Sequence, residues 1–373
     1  MKIGCPKEIK NHEYRVGLTP TAASELIRAG HDVMIEAGAG AGIGADDTAY
    51  IAMGASVVDT AEEVFASSDM IVKVKEPQAV ERKMLREGQL LYTYLHLAPD
   101  PEQTRDLVDS GAICIAYETV TSSRGGLPLL APMSEVAGRL SIQAGMKALE
   151  KPSGGRGLLL AGVPGVEPAK VVVIGGGVVG RNAAEMAVGM RADVTVLDRN
   201  VDTLRALDAQ FDGRAKTVYS THDALERHVL EADLVIGAVL IPGASAPKLV
   251  TRDMIGGMNP GSVLVDVAID QGGCFETSYA TTHAEPTYEV EGVVHYCVAN
   301  MPGAVPRTST YALNNATIPY ALELANKGFK QALLDDAHLR NGLNVIAGKI
   351  AHEEVGESLG IDVVDPVVAL KAA

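Results

Sequence analysis

The stretch LLYTYLHLA carries one histidine, His96, inside a largely apolar run that is typical of a β-strand. Histidine titrates near neutral pH and therefore serves as a general acid or base in many active sites. Taken alone, this segment favours a structural histidine with a satisfied hydrogen bond, since apolar runs usually belong to the core. A catalytic role depends on what the rest of the chain places beside His96.

Three further charged residues stand near the ends of predicted strands. Lys75 closes MIVKVK, Asp270 closes VLVDVAID, and Arg15 precedes the helix predicted for LTPTAASELIRAG, in which Thr19 is the expected N-cap. An arginine fork grips a carboxylate through two hydrogen bonds, and a lysine binds a carboxylate or polarises a carbonyl. A carboxylate orients water or ammonia, or stabilises a cationic intermediate. Together with His96, this set suits a small anionic keto acid.

A glycine-rich segment, AKVVVIGGGVVGRNAAEMAVGMRADVTVLDRN, has the spacing G-x-G-x-x-G at Gly175, Gly177 and Gly180. The spacing alone is a weak signal, but a β-branched strand precedes it and a predicted helix and second strand follow. The first glycine permits a tight turn, the second lets the backbone approach a pyrophosphate, and the third allows close helix–strand packing. The alternative is a βαβ unit with an empty glycine turn.

The residue that ends the second strand of this unit indicates which dinucleotide binds. Asp198 can accept hydrogen bonds from the adenosine ribose, and its charge would repel a 2′-phosphate, which favours NAD over NADP. The neighbouring Arg199 could accommodate that phosphate and argues in the other direction. The sequence therefore predicts NAD as the cofactor.

Two segments of the chain resemble each other and would carry the charged residues. DMIVKVKEP leads to REGQLLYTYLH, and ADLVIGAVLIP leads to NPGSVLVDVAID, so that the two final strands end at His96 and Asp270. Ligands of open parallel sheets bind beyond the carboxyl ends of the strands. If two such domains face each other, Lys75, His96 and Asp270 point toward one cleft. The alternative is a generic similarity between βαβ units.

The alternation of strands and helices predicts an α/β fold with two Rossmann-like, doubly wound domains of parallel sheet that face each other across a cleft. A helix starting at Ser134, followed by a segment rich in glycine and proline, marks the crossing between domains. A largely helical tail, which Pro319 should kink or restart, is expected to pack back on the first domain. The first domain is thus discontinuous, with residues 1–130 and 307–373, and residues 131–306 form the nucleotide-binding domain.

The bulk properties exclude several classes of protein. The net charge of −15 over 373 residues argues against nucleic acids and anionic membranes as partners. No secretory signal and no apolar run of membrane-spanning length is found in the sequence. The four cysteines are far apart, without the spacing of a metal or redox site, which favours reduced thiols in the cytoplasm.

Over essentially its whole length the chain resembles the alanine dehydrogenase family. The resemblance is carried by MKIGCPKEIKNHEYRVGLTP, VKVKEP, LLYTYLHLA, LAPMSEVAGRLSIQAGMKALE, the glycine loop, VLVDVAIDQGG and HYCVANMPGAVPRTST. It implies reversible, NAD-dependent oxidative deamination of L-alanine to pyruvate and ammonia. It further implies that Arg15 and Lys75 hold pyruvate, that His96 and Asp270 move protons, and that the protein is a homohexamer.

The resemblance also implies a set of cofactor contacts that follow predicted strand ends or flank the glycine loop. They are Ser134, Val178, Val179, Asp198, Ser220, Val239, Leu240, Val267, Ala268, Ile269, Asp270, Val298, Ala299, Asn300 and Met301. For the valines and the leucine, ordinary core packing is an equally good interpretation.

Three other functions fit part of this pattern. The nucleotide-binding part of a proton-translocating transhydrogenase shares the two-domain plan, and a saccharopine-type dehydrogenase would act on a larger amino acid. In a non-catalytic NAD-binding regulator, Lys75 and His96 would be incidental. A keto-acid- and ammonium-dependent assay distinguishes these functions.

Overall fold

The computed structural model describes residues 1–239 and 246–372. The chain forms two compact units, one of Met1–Met133 with Val305–Ala373 and the other of Ser134–Ala304. Each unit contains one large sheet with helices. The first unit is therefore discontinuous, as predicted.

Strands and helices alternate along most of the described chain. The strands are β1 Lys2–Cys5, β2 Asp32–Glu36, β3 Ser56–Val58, β4 Met70–Val72, β5 Leu90–Thr93, β6 Ile113–Ala116, β7 Lys170–Ile174, β8 Asp193–Asp198, β9 Ala215–Tyr219, β10 Leu234–Gly237, β11 Val263–Asp266, β12 Thr287–Val290, β13 Val293–Tyr296, β14 Leu343–Ile346 and β15 Lys349–Ile350. The α-helices are α1 Pro20–Arg28, α2 Asp47–Ala52, α3 Ala61–Ser67, α4 Ala79–Arg82, α5 Pro101–Ser110, α6 Ala131–Leu149, α7 Val178–Gly189, α8 Val201–Phe211, α9 His222–Glu231, α10 Arg252–Gly257, α11 Pro306–Lys327, α12 Phe329–Asp335, α13 Ala337–Arg340, α14 Glu353–Leu359 and α15 Pro366–Ala372.

The first sheet has the strand order β3-β2-β1-β4-β5-β6, in which all neighbours are parallel. β14 and β15 extend this sheet at the β6 edge in antiparallel orientation. β4, β5 and β6 are buried along their whole length, as expected for strands covered on both faces. The strand order reverses between β1 and β4, and ligands of such sheets bind at this switch point.

The second sheet repeats the same plan. Its order is β9-β8-β7-β10-β11-β13 with parallel neighbours, and β12 adds an antiparallel strand at the β13 edge. Both sheets thus have the Rossmann strand order, which confirms the predicted α/β fold class. The two segments that resemble each other in sequence form β4–β5 and β10–β11, which occupy equivalent places in the two sheets.

The predicted strands that were expected to end at His96 and Asp270 end earlier, and this part of the prediction was wrong. β5 stops at Thr93, three residues before His96, whose φ of 51° is incompatible with an extended strand. β11 stops at Asp266, whose side chain accepts a hydrogen bond from the backbone N–H of Ala268 and caps a short 3₁₀ helix, Val267–Gln271, that contains Asp270.

Helix boundaries agree with the sequence in one case and differ in two others. α1 is capped by Thr19, whose hydroxyl accepts a hydrogen bond from the Ala22 N–H, as the sequence predicts. α6 begins at Ala131 rather than at Ser134, which lies in its first turn. α11 continues through Pro319 as one helix, so the predicted restart does not occur, and the predicted kink stays a prediction. Across residues 1–239 and 246–372, no helix is both long and apolar enough to cross a membrane.

Candidate active site

Arg15, Lys75 and His96 all lie beyond the carboxyl ends of strands in the first sheet. They follow β1, β4 and β5, which are neighbouring parallel strands, so the three loops start from adjacent carboxyl ends. Tyr94 connects two of them, because its ring stacks on the His96 ring at 5.8 Å and interacts electrostatically with the Arg15 guanidinium. The topology therefore brings together the residues that the sequence singled out in this unit.

The Arg15 guanidinium is buried and bound by a carboxylate from its own loop. Nε and Nη2 donate to the two oxygens of Glu13 at 2.7 and 2.5 Å, and Nη1 lies 3.1 Å from the Met133 sulfur. Burial alone would lower the pKa of Arg15, but Glu13 outweighs this effect and the pKa is raised. The guanidinium is thus held charged and in a fixed orientation.

The loop that carries Lys75 is held by neighbouring side chains. The Thr93 hydroxyl donates to the Lys75 carbonyl at 2.9 Å. Glu8 accepts the backbone N–H groups of Val74 and Lys75 at 2.7 and 3.3 Å. The Lys75 backbone is therefore fixed on both sides, while its side chain is half-buried.

A buried cluster of charged residues contacts this loop through Glu8. The Lys73 ammonium is inaccessible to solvent and donates to Glu8 at 3.1 Å and to Glu81 at 2.6 Å. Burial alone would lower the pKa of Lys73, but the two carboxylates outweigh it and the pKa is raised. Glu8 also holds the Lys75 backbone, so this cluster of Lys73, Glu8 and Glu81 couples the core of the first unit to the candidate site.

His96 is not a core histidine, because its side chain is 46% exposed. Its backbone has left-handed φ, and its ring lies parallel to that of Tyr94 with an interplanar angle of 4°. Glu118, which follows β6, accepts the backbone N–H of His96 at 2.6 Å. A titratable ring is thus held at the sheet edge where its exposed face can meet a ligand.

The glycine turn of the second unit has space for a dinucleotide pyrophosphate. Gly175 has φ of 97°, and a Cβ on Gly180 would lie 1.7 Å from the Gly175 carbonyl oxygen, so both positions require glycine. At Gly177, by contrast, a Cβ would meet no atom of the described residues within 4 Å. Gly177 caps α7 without a side-chain hydrogen bond, so the N–H groups of this helix end remain available for phosphate oxygens.

A cavity of about 340 Å³ was found in the first unit, and one of about 330 Å³ adjoins this glycine turn. The second cavity is lined by Gly176, Gly177, Val178, Arg181 and Glu135, among others. Its position beside the α7 N-terminus fits a bound nucleotide.

Asp198 stands beside the glycine turn at the end of β8. Its two carboxylate oxygens accept the N–H groups of Gly176 at 2.6 Å and Asn200 at 2.7 Å. Ser220 directly follows β9 and donates its backbone N–H to the Asp198 carbonyl. A carboxylate oxygen accepts more than one hydrogen bond, so Asp198 retains the capacity to bind ribose hydroxyls.

The other residues predicted to contact the cofactor follow neighbouring strands of the second sheet. The predicted positions after β10, β11 and β13 are Val239, Val267, Ala268, Ile269, Asp270, Val298, Ala299, Asn300 and Met301. Val178 and Asp270 are exposed, Val179 is half-buried, and Val298 is fully buried. Leu240 lies outside the described residues. Most of this set therefore shares one sheet edge, and core packing accounts for Val298.

Ser134 lies on the face of α6 that approaches the same region. Gly138, one turn further along α6, lies so close to α7 that a Cβ at this position would be 2.3 Å from the Val179 carbonyl oxygen. Residues four apart share a helix face, so Ser134 is aligned with this close approach.

The loop carrying Asp270 is organised by a residue that the sequence analysis missed. Asp266 is buried and accepts hydrogen bonds from the N–H groups of Ala268 and Cys274 and from the Ser278 hydroxyl, at 3.1, 2.9 and 2.6 Å. Burial raises the pKa of Asp266, although these hydrogen bonds oppose the shift. Its place at the end of β11 was the available signal, since polar residues there often serve a site.

Replacing Gly177 with alanine should test the dinucleotide site without disturbing the fold. We expect the free energy of unfolding to stay within about 0.5 kcal/mol of the wild-type value, because the added Cβ meets no atom in the part of the chain that the structure describes. NADH affinity should fall about tenfold or more, because the methyl group occupies the space that the pyrophosphate needs. Fluorescence titration with NADH measures this loss.

Gly189→Ala, at the other end of α7, is the matched control, since its Cβ also meets nothing within 4 Å among residues 1–239 and 246–372. Equal NADH affinity in the two variants would contradict the pyrophosphate assignment.

Comparison with known proteins identifies the family. Residues 4–137 match the model described as alanine dehydrogenase/PNT, N-terminal domain, and residues 141–353 match the C-terminal domain of the same family. A protein of Halomonas elongata named alanine dehydrogenase is 61% identical over 365 residues, which are 98% of each chain.

Solved structures give the same result. One named L-alanine dehydrogenase superposes with a TM-score of 0.94 at 53% identity, covering 96% of this chain and 99% of that one. A transhydrogenase from Sinorhizobium meliloti has a TM-score of 0.83 at 24% identity, covering 94% of this chain and 100% of that one, and shows a shared fold. The chain therefore belongs to the alanine dehydrogenase/PNT family.

Proposed function

We propose that the protein is an NAD-dependent L-alanine dehydrogenase, which interconverts L-alanine with pyruvate and ammonia. The main support is the gathering of Arg15, Lys75 and His96 at the switch-point edge of the first sheet. We assign substrate binding to residues 1–130 and 307–373 and NAD binding to residues 131–306. Relatives that bear the name alanine dehydrogenase support the same assignment.

In this proposal Arg15 and Lys75 hold pyruvate. Arg15 binds the carboxylate from an orientation that Glu13 fixes. Lys75, on a backbone fixed by Glu8 and Thr93, polarises the carbonyl that ammonia attacks. Both side chains therefore act on atoms of the substrate itself.

His96 and Asp270 move the protons of the reaction. Addition of ammonia to the pyruvate carbonyl gives a carbinolamine, and loss of water then gives an iminium ion. His96 donates the proton that the leaving water requires, and Asp270 stabilises the cationic carbon–nitrogen group. A nicotinamide cofactor held by the glycine turn and Asp198 would supply the hydride needed to reduce this group to L-alanine. In the reverse direction His96 accepts the proton.

The proposed cofactor site comprises the glycine turn, Asp198, and the residues beyond the strand ends of the second sheet described above. Gly177 and the N-terminus of α7 would hold the pyrophosphate, and Asp198 the adenosine ribose. The exposed Asp270 would lie on the nicotinamide side of the site. Assembly as a homohexamer in the cytoplasm remains a prediction, which size-exclusion chromatography with light scattering tests for the subunit number.

Asp198→Asn should narrow the selectivity for NADH over NADPH. The amide keeps an oxygen for the Gly176 N–H but removes the charge that repels a 2′-phosphate. We expect NADH to bind about tenfold more weakly and NADPH to bind better than in the wild type. The measurement is kcat/KM for both cofactors. Asp202→Asn, an 85% exposed carboxylate on α8, is the control, and unchanged selectivity in Asp198→Asn would contradict the ribose assignment.

One assay tests the overall function. NADH oxidation is followed with pyruvate plus ammonium, with 2-oxoglutarate plus lysine, and with pyruvate alone. We expect turnover only in the first mixture. Turnover with 2-oxoglutarate plus lysine would indicate the saccharopine-type reaction. Folded, NADH-binding protein without turnover in any mixture would favour a regulator or a transhydrogenase component.

A further inference from the structure

The backbone that leads into His96 is held by side chains from two other parts of the chain. Glu118 accepts the N–H groups of Leu95 and His96, at 3.2 and 2.6 Å to the same oxygen, Oε1. From α5, the Gln103 amide donates to the Leu95 carbonyl at 2.6 Å. A non-glycine residue with φ of 51° is unfavourable, so its conformation depends on such bonds.

The same carboxylate also faces the imidazole. Oε1 of Glu118 lies 3.8 Å from Nδ1 of His96, and the ring is kept parallel to Tyr94 by stacking. An acceptor on the Nδ1 side favours the tautomer with a proton on Nδ1, which leaves Nε2 as the nitrogen that exchanges a proton with a ligand.

Two titratable groups near Glu118 carry no charge close to pH 7. Its charge interacts with Tyr94 and His352. Burial raises the pKa of Tyr94 and lowers the pKa of His352, so neither carries a charge that would neutralise the carboxylate. Glu118 therefore remains able to stabilise a positive charge on His96.

We propose that Glu118 is the positioning residue for His96. Its carboxylate sets the backbone conformation that presents the ring, selects the tautomer with a basic Nε2, and stabilises the imidazolium formed during proton transfer. The inference rests on the proposed function, because it assumes that His96 moves a proton. It assigns no substrate contact to Glu118.

Glu118→Gln tests the negative charge of the side chain independently of its hydrogen bonds to the backbone. The amide oxygen can still accept both backbone N–H groups, but the negative charge next to Nδ1 is removed. We expect kcat with pyruvate and ammonium to fall about tenfold. KM for pyruvate and Kd for NADH should stay within about twofold of the wild-type values, a pattern that general loosening of the fold would not give. Glu118→Asp, whose carboxylate is withdrawn by one methylene, should lose kcat by about threefold or more.

Glu102→Gln is the matched control, because Glu102 is 77% exposed and pairs with Arg82 on the surface. It should behave as the wild type. Wild-type kcat in Glu118→Gln would overturn the inference, as would a loss confined to KM or to NADH binding. If Glu118→Gln does not fold, a fully active Glu118→Asp variant would overturn the inference instead. Inactive wild-type protein would instead overturn the proposed function.

Discussion

His96→Ala should lower kcat by roughly two to four orders of magnitude, the usual contribution of a positioned general acid or base. The ring is 46% exposed and lies at the edge of the first sheet, so its loss leaves no cavity in the core. NADH affinity should be unchanged, because the proposed cofactor residues belong to the second sheet. Steady-state kinetics and NADH fluorescence titration measure the two quantities.

His222→Ala is the control for this experiment, since His222 is 77% exposed on α9 and its ring lies 3.9 Å from Glu226. It should retain wild-type kcat. A His96→Ala variant with near-normal turnover would show that the histidine has no catalytic role, whatever the position of its ring.

Lys73→Met should destabilise the protein by about 3–5 kcal/mol, the typical effect of breaking a buried ion pair. The substitution leaves Glu8 and Glu81 buried without the ammonium that both contact. Activity should also suffer, because Glu8 holds the backbone of Lys75. The urea midpoint of unfolding, followed by circular dichroism, measures the change in stability.

The triple variant Lys73→Met, Glu8→Gln, Glu81→Gln provides the matched comparison. Removing all three charges of the cluster leaves no buried charge without a partner, so most of the lost stability should return. A single variant as stable as the wild type would mean that the cluster is hydrated in solution. A triple variant no better than the single one would mean that the charges themselves are required.

Sequence reasoning succeeded for features that depend on neighbouring residues or on a general rule of sheet geometry. The alternation of strands and helices, the glycine turn at Gly175–Gly180 and the Thr19 helix cap each depend on residues within a few positions of one another. The grouping of Arg15, Lys75 and His96 followed from a general rule about the carboxyl ends of parallel strands.

The side chains that hold these residues in place were not predicted. Glu118 reaches His96 from the segment after β6, and Glu8 reaches Lys73 from the loop after β1. Such pairs are created by the crossover connections of the sheet, so no spacing in the sequence reveals them. The early ends of β5 and β11 were missed for a similar reason, since hydrophobic pattern continues into residues that tertiary contacts turn away from the strand.

The strands β14 and β15 impose an order of events on biosynthesis. β6 emerges from the ribosome long before β14, its antiparallel neighbour, and the whole second unit is translated in the interval. During that interval the nascent chain exposes an unpaired edge on β6, which is a template for pairing with other chains. The second unit is contiguous in sequence and can fold while β6 is still unpaired. Translation pauses within residues 134–342 would lengthen the period in which the growing chain is most prone to aggregate.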